Sequence, residues 1–280
     1  MMFTRFLILF FALVVSVVPA HAQNTGIEAE RYNACLATVQ ENAEAGFERA
    51  RDWRIQGGGI PARHCAALAL IQLQKFGTAA QMLEQIAQDM AAESSPELRV
   101  EVLAQAGQAW LMQGDTARAI AVQTTALRLA PDDAELMIDR ALAHGGGGRY
   151  WEAIDDLNRA IELRPGHADA LVYRASAYRL VEAPDLGLAD VAEALRLKPD
   201  DPDALAERGL LRRLTGDDQG ARQDWLRVVR VGAQAGAAFE IARTNLEKLD
   251  VRVEPAPSAP ASKAPASKPP GRAQVRKKVE

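Results

Sequence analysis

The sequence has few of the side chains on which small crosslinked domains and metal sites depend. Two cysteines in 280 residues exclude a disulfide framework of the kind that holds toxins and growth factors together. Four histidines add little material for a multi-ligand metal centre. Aromatic residues make up only 5%, and a net charge of −4 gives no overall attraction to nucleic acid or acidic membranes. Abundant alanine and leucine instead favour packed helices.

The longest apolar run lies at the N-terminus and predicts an export signal of bacterial type. Arg5 precedes the apolar residues 6–18, and the small residues Ala20 and Ala22 occupy the two positions that a signal peptidase recognises. The run is shorter than the roughly 20 apolar residues of a membrane span, so an uncleaved anchor is the weaker alternative. We expect residues 1–22 to be removed, leaving a periplasmic or secreted protein without a membrane span.

A 34-residue period organises the middle of the chain. Residues 126–131, 160–165 and 194–199 share the pattern Ala-Leu/Ile-x-Leu-x-Pro, and their prolines lie 34 residues apart. This period and pattern resemble the tetratricopeptide repeat (TPR) family, whose unit is a 34-residue pair of helices. With the proline at position 32, four units begin at Val100, Ala134, Ala168 and Pro202.

The resemblance extends to side-chain size. In the family, small residues at positions 8, 20 and 27 let the two helices of a hairpin approach closely, and proline ends the second helix. The second unit has His144 where an aromatic residue is usual, the third has Gly187 in place of alanine, and the fourth lacks the final proline. The first unit matches best, at Leu103, Gly107, Trp110, Gly114, Ala119, Ala126 and Pro131. The resemblance implies an all-α, right-handed superhelical solenoid of TPR hairpins, because a single hairpin cannot bury its apolar face.

Helices are also predicted on both sides of these units. Two degenerate TPR-like hairpins are expected within residues 23–95, from helices over 27–40, 43–53, 62–74 and 78–90. The regular array, residues 96–250, should end in a capping helix over 237–249 that shields the last hydrophobic face. The Gly-rich residues 144–148 lack the Gly-Lys-Ser/Thr of a phosphate loop, and we expect them to form the turn inside the second unit.

The C-terminal residues 251–280 have a different composition. Residues 253–280 contain six of the 14 prolines, six basic and two acidic residues, so they carry +4 while the preceding 252 residues carry −8. Such a segment predicts a disordered basic tail, because it cannot bury enough apolar surface to offset its ordering entropy. A solubilising end, association with the acidic body and contact with an anionic envelope polymer all remain open.

A second regularity concerns charge. Arginine at position 7 and aspartate at position 23 occur together in three units, whereas the first unit has Ala106 and Val122 at these positions. We interpret them as structural ion pairs across each hairpin, because the arginine fork suits bidentate contact with a carboxylate. A ladder of charges for a ligand is the weaker alternative. The pairs are Arg140 with Asp156, Arg174 with Asp190, and Arg208 with Asp224.

The two cysteines fall on the first helices of the two N-terminal hairpins. Because such helices lie side by side and an exported protein meets an oxidising environment, we expect a disulfide between Cys35 and Cys65. A metal site that adds His64, and free buried thiols, are the alternatives. An enzyme built around these three residues is a further hypothesis, but no nucleophile, acid/base or metal-ligand spacing supports it. We therefore expect no catalysis, no cofactor and no metal.

Binding is the remaining function. The resemblance implies a concave surface lined by the first helices, and the lysine and asparagine clamp of carboxylate-binding TPR domains is missing here. The expected surface is mostly apolar with two arginines and suits an extended or helical peptide. Its predicted residues are Met112, Ile138, Leu142, Val172, Ser176, Arg179, Leu210, Arg213 and Leu214.

The leading hypothesis is a non-catalytic exported scaffold that binds protein or peptide partners in the cell envelope, without nucleic acid. The alternative is a structural or assembly factor of a secretion, pilus or cell-wall machine, with its basic tail on an anionic polymer.

Overall fold

The computed structural model describes residues 20–90 and 96–253 of the 280-residue chain. Within these ranges it contains thirteen α-helices and no strand, as the sequence predicts. The helices are α1 Ala20–Glu41, α2 Ala43–Ile55, α3 Gly59–Gln72, α4 Phe76–Asp89, α5 Pro96–Gln113, α6 Thr116–Leu129, α7 Ala134–Gly146, α8 Tyr150–Leu163, α9 Ala168–Leu180, α10 Pro184–Leu197, α11 Pro202–Leu214, α12 Asp218–Val231 and α13 Ala237–Val253.

Two predicted segments fall mainly outside the described residues. The predicted signal peptide lies outside them up to residue 19, and α1 begins at Ala20. The predicted tail lies outside them from residue 254, since α13 continues to Val253 and so passes the predicted boundary at 251. No helix in the described part of the chain is both long and apolar enough to cross a membrane.

The helices form a stack of hairpins. Each helix packs against the next one along the chain, and α5, α7, α9, α11 and α13 also contact one another in a row. We call the first helices of the four units, α5, α7, α9 and α11, the A helices, and their partners α6, α8, α10 and α12 the B helices. The A helices therefore share one face of the stack, and α13 extends their row by one more helix.

Each hairpin turns at repeat position 15. Gly114, Gly148 and Gly216 have φ angles of 84°, 74° and 89°, in the left-handed region that glycine adopts without a steric penalty. Glu182 occupies the same position in the third unit with φ 59°, although its Cβ disfavours this conformation. The turn geometry is thus kept where the residue that suits it is missing.

The second unit's turn is shorter than the sequence suggests. We expected all of residues 144–148 to form it, but α7 continues through Gly146. His144 is buried at the end of this helix, and burial lowers the pKa of its imidazole. Helix α7 therefore ends at repeat position 13, as α9 and α11 do, and the turn consists of fewer glycines than expected.

Candidate binding groove

The arginine–aspartate pairs lie inside the hairpins. Arg140 donates from Nε and Nη2 to the two carboxylate oxygens of Asp156, at 2.8 and 2.6 Å. Arg174 binds Asp190 in the same way at 2.8 and 2.7 Å. The aspartates are buried, and the fork geometry is the strong form of this ion pair. These charges hold helices together and are not presented to a ligand.

The fourth unit repeats the pair with an addition. Arg208 donates two hydrogen bonds to Asp224, at 2.8 and 2.6 Å, and Arg212 adds a third at 2.7 Å. In the first unit, Ala106 and Val122 are both buried in the apolar core instead. Positions 7 and 23 therefore contain either an arginine–aspartate ion pair or an apolar alanine–valine pair.

Two of the arginines also reach the preceding unit. Arg140 Nη1 donates to Thr124 Oγ1 at 3.2 Å, and Arg174 Nη1 donates to Asn158 Oδ1 at 2.8 Å. Thr124 and Asn158 both stand at repeat position 25, whereas Ala192 stands there before Arg208. Neighbouring hairpins are thus joined by side-chain hydrogen bonds at two joints, and the third joint lacks this bond.

The N-terminal hairpins are crosslinked by a disulfide between Cys35 on α1 and Cys65 on α3, with their Cα atoms 6.3 Å apart. Both cysteines are fully buried beside Ala50 and Trp53. His64 points away into a separate polar contact, accepting or donating a 2.6 Å hydrogen bond with Tyr32 and a 2.7 Å bond with Gln105. The bonded sulfurs leave no thiolate to bind a metal with His64.

Two of the expected groove residues are core residues instead. Ile138 is only 4% exposed and Val172 only 8%, because position 5 of the A helix packs against the neighbouring hairpins. Leu210 is partly buried against the C-terminal core. Met112 and Leu214, near the ends of α5 and α11, are 59% and 56% exposed.

The two arginines expected in the groove differ in their partners. Arg179 donates a 2.6 Å hydrogen bond to Glu207 on the next A helix. Burial raises the pKa of Glu207, and the bond from Arg179 opposes this shift. Arg213 makes a 3.5 Å contact with Asn245 on α13. The charge of Arg179 is therefore compensated within the stack, which removes much of the positive character expected for this face.

Two open cavities lie along the row of A helices. One of about 460 Å³ lies between α5 and α7, where Val100, Ala104 and Leu136 form an apolar floor and Glu101 and Asp139 are at the edge. Another of about 180 Å³ lies between α7 and α9, and its lining includes the predicted residues Leu142 and Ser176 together with Tyr150, Tyr173 and Leu180. We call this face, with both cavities, the A-helix groove.

The electrostatic character of the A-helix groove is acidic. Burial, together with Glu135 and Asp133, raises the pKa of Asp139, against a 2.9 Å hydrogen bond from Gln108. Burial raises the pKa of the Tyr173 phenol, and four carboxylates, those of Asp169, Asp203, Asp139 and Asp201, add to the shift. Tyr173 is 38% exposed, so its ring meets the solvent near these carboxylates, one of which, Asp169, is paired with Lys198.

A periodic signal for this character is present in the sequence. Position 2 of all four units is acidic, at Glu101, Glu135, Asp169 and Asp203, each 34 residues from the next. Glu135, Asp169 and Asp203 lie in the first turn of their helices, where a negative charge interacts favourably with the helix dipole. The dipole does not explain Glu101 or Asp139, which lie further along α5 and α7. Tyr173 and Asp139 share position 6, and neither was among the groove residues predicted from the family resemblance.

Comparisons with known proteins agree with this architecture. Two family models, each described as tetratricopeptide repeat, match residues 107–177 and 182–238. No curated protein matches the chain. Among solved structures, a crystal structure of the MamA protein covers 72% of this chain and 100% of its own, with 18% identity and a TM-score of 0.52.

Another similar structure is that of YrrB, a TPR protein with an unusual peptide-binding site. It has 18% identity and a TM-score of 0.51, over 66% of this chain and 94% of its own. At such identities the likeness shows the fold. The matched repeat models and the stacked hairpins together establish that the chain belongs to the tetratricopeptide repeat family.

Proposed function

We propose that this protein is a non-catalytic, exported scaffold that binds a protein or peptide partner in the A-helix groove. The observation that supports this most is the groove itself, in which apolar cavities lie beside carboxylates and the exposed ring of Tyr173. A groove of this kind can receive apolar side chains of an extended or helical segment and orient it through polar contacts at the edge. The peptide-binding site of YrrB gives a precedent for this use of the fold.

The charge of the groove narrows the class of partner. Glu101 and Asp203 form no ion pair among the described residues, and Asp139 receives its only side-chain hydrogen bond there from the neutral Gln108. A partner segment with lysine or arginine beside apolar residues would neutralise these carboxylates. A cation over the ring of Tyr173 would add a favourable contact of about 0.5–2 kcal/mol. We therefore propose a basic, partly apolar peptide as the ligand.

Export is the second part of the proposal. The apolar N-terminal run with small residues at Ala20 and Ala22 supports it, and so does the buried Cys35–Cys65 disulfide, because disulfides persist mainly in oxidising compartments. A fusion of residues 1–22 to an alkaline phosphatase that is active only after export tests this directly. Activity equal to that of a fusion without these residues would contradict export.

Site-specific photocrosslinking tests the groove. A photoreactive phenylalanine analogue at Tyr173 should capture a partner in the native compartment, and the same analogue at Trp151, which is 61% exposed on B helix α8, serves as the matched control. We expect adducts from position 173 only, reduced by Asp203→Asn. Identical adducts from both positions, or none from position 173, would reject the groove.

A further inference from the structure

Some carboxylates of the A-helix groove have a cationic partner in the described chain, and others have none. Glu135 is paired with Arg164 and lies 3.3 Å from His167, and Asp169 accepts a 2.6 Å bond from Lys198. Among the described residues, Glu101, Asp139 and Asp203 have no such cation. Three uncompensated carboxylates therefore lie on one face, on the A helices α5, α7 and α11.

Burial and neighbouring acids both disfavour the charged forms of Asp139 and Asp203. Burial, followed by Asp201 and Asp169, raises the pKa of Asp203. The pKa of Asp139 is raised by burial and by two further acids. A cation brought close to such a group favours its charged form, and the neighbouring acids attract the same cation.

The sequence contains a matching cation source in residues 254–280. This segment lies outside the described residues, and it contains six basic and two acidic residues, which give it +4. Its basic residues are Lys263, Lys268 and Arg272, followed by the consecutive Arg276, Lys277 and Lys278. These charges extend from residue 263 to residue 278, so they can reach carboxylates on more than one A helix.

The attachment point of this segment is also suitable. The described chain ends with α13, which packs against A helix α11 and extends the row that forms the groove. Packed helices lie about 8–10 Å apart, so four steps from α13 to α5 cover about 40 Å. The 27 residues after Val253 can span up to about 90 Å, which is more than sufficient.

We propose that the basic segment 254–280 docks in the A-helix groove of its own chain and competes with the partner there. This rests on the proposed function, because it assigns a second occupant to the same groove. A tethered segment has an effective concentration of the order of mM. It therefore outcompetes a basic ligand that binds weakly, and a ligand that binds tightly displaces it. The scaffold would then select partners by the affinity needed to displace the segment.

A peptide-binding measurement tests this on the full chain. The probe is a fluorescent synthetic peptide of residues 254–280, and the variant replaces all six basic residues of the chain's own segment by serine. We expect the probe to bind this variant at least about tenfold more tightly than the natural chain, because the tethered competitor is lost. A control that exchanges lysine and arginine at the same six positions keeps the charge and should bind as weakly as the natural chain. Equal affinity for all three proteins would overturn the proposal.

Zero-length crosslinking then identifies where the segment docks and whether it belongs to the same chain or to a second copy. A carbodiimide should join Lys263 or Lys268 to Asp139 or Asp203 within monomers, and 1 M salt should abolish the products because it shortens screening to about 3 Å. Asp139→Asn with Asp203→Asn should remove them, whereas Glu162→Gln with Glu193→Gln, on exposed B-helix positions, should not. Crosslinks to the B-helix positions instead, none at all, or crosslinks only in dimers would each overturn the proposal.

These measurements need no partner, so their outcome is separate from that of the proposed function. If the segment does not dock but photocrosslinking at Tyr173 still captures a partner, only this inference fails. If the segment docks and no partner is captured, the docking stands, whereas the competition and the proposed function both fail.

Discussion

Gly209 on α11 lies against the indole of Trp225 on α12, so closely that any Cβ at position 209 would overlap the ring. Trp225 is fully buried and donates a 3.2 Å hydrogen bond to the carbonyl of Ala206. The same two repeat positions hold Gly107 with Gln123 in the first unit, where a Cβ would come within 2.6 Å of Gln123 Cγ. The units with alanine at position 8 have the shorter side chains Leu157 and Val191 opposite, so glycine occurs where the facing side chain is longest.

Gly209→Ala should destabilise the protein by about 1–3 kcal/mol, because the added methyl group overpacks a rigid contact. Urea unfolding of the full chain measures the change. A double-mutant cycle provides the control: with Trp225→Leu present, which copies the second unit, the same Gly209→Ala change should be much less costly. An equal cost in both backgrounds would show that the close contact is not the cause.

Glu182→Gly should stabilise the protein by about 1 kcal/mol. The exposed Glu182 has a positive φ, which glycine adopts without strain. Gly148→Ala at the equivalent turn should have the opposite effect of similar size. Thermal unfolding of both variants is the measurement, and a loss of stability in Glu182→Gly would show that the side chain supports the turn.

Asp156→Ala should destabilise by about 2–4 kcal/mol, since it leaves the half-buried Arg140 without its carboxylate. The first unit shows how the loss can be repaired. The double variant Arg140→Ala with Asp156→Val copies Ala106 and Val122, and its free energy of unfolding should recover most of the difference. A double variant as unstable as Asp156→Ala alone would mean that the pair itself is indispensable.

Reduction of the Cys35–Cys65 disulfide should lower stability by about 3–4 kcal/mol in the chain-entropy model, given a separation of 30 residues. The effect should be confined to the N-terminal hairpins α1 to α4. Urea unfolding with and without reductant measures it, and Cys35→Ala with Cys65→Ala should be insensitive to reductant. Thiol titration of the unreduced protein that finds two free thiols would contradict the bond.

Asp139→Asn should make stability less dependent on pH. Because burial raises the folded-state pKa of Asp139, the folded chain binds more protons than the unfolded chain, and stability falls as pH rises from about 4 through the folded pKa. Asparagine removes this loss and can still accept the hydrogen bond from Gln108. Urea unfolding at pH 4 and pH 7 should show the variant gaining relative to the natural chain at pH 7. Asp155→Asn, on the exposed side of α8, controls for net charge.

The sequence was sufficient for the fold because the period fixes where each helix begins and ends. Pro131, Pro165 and Pro199 each follow the last turn of a B helix, and the helices lie where the 34-residue spacing predicts them. The concave surface was less predictable. Position 5 was expected to face a ligand, but Ile138 and Val172 are buried, since the curvature of the stack decides which side of a helix is covered.

The electrostatics of the groove depend on contacts between units, which the repeat alignment does not contain. Arg179 has the sequence position of a ligand-binding cation, but its charge is taken up by Glu207, 28 residues later. The carboxylates at position 2 recur in the sequence with perfect periodicity, and a search of charged as well as apolar positions would have found them.

The hydrogen bonds that Arg140 and Arg174 make to the preceding unit have no counterpart at Arg208, which follows Ala192. That joint depends instead on the 2.6 Å hydrogen bond from Arg179 to Glu207. Arg179→Gln should therefore speed hydrogen exchange in α11 to α13, where a partial opening would fray the stack from its C-terminal end. Such fraying would shorten the surface available to a bound peptide by one helix pair at a time. The maximum length of the bound peptide would then depend on the least stable interface between two hairpins.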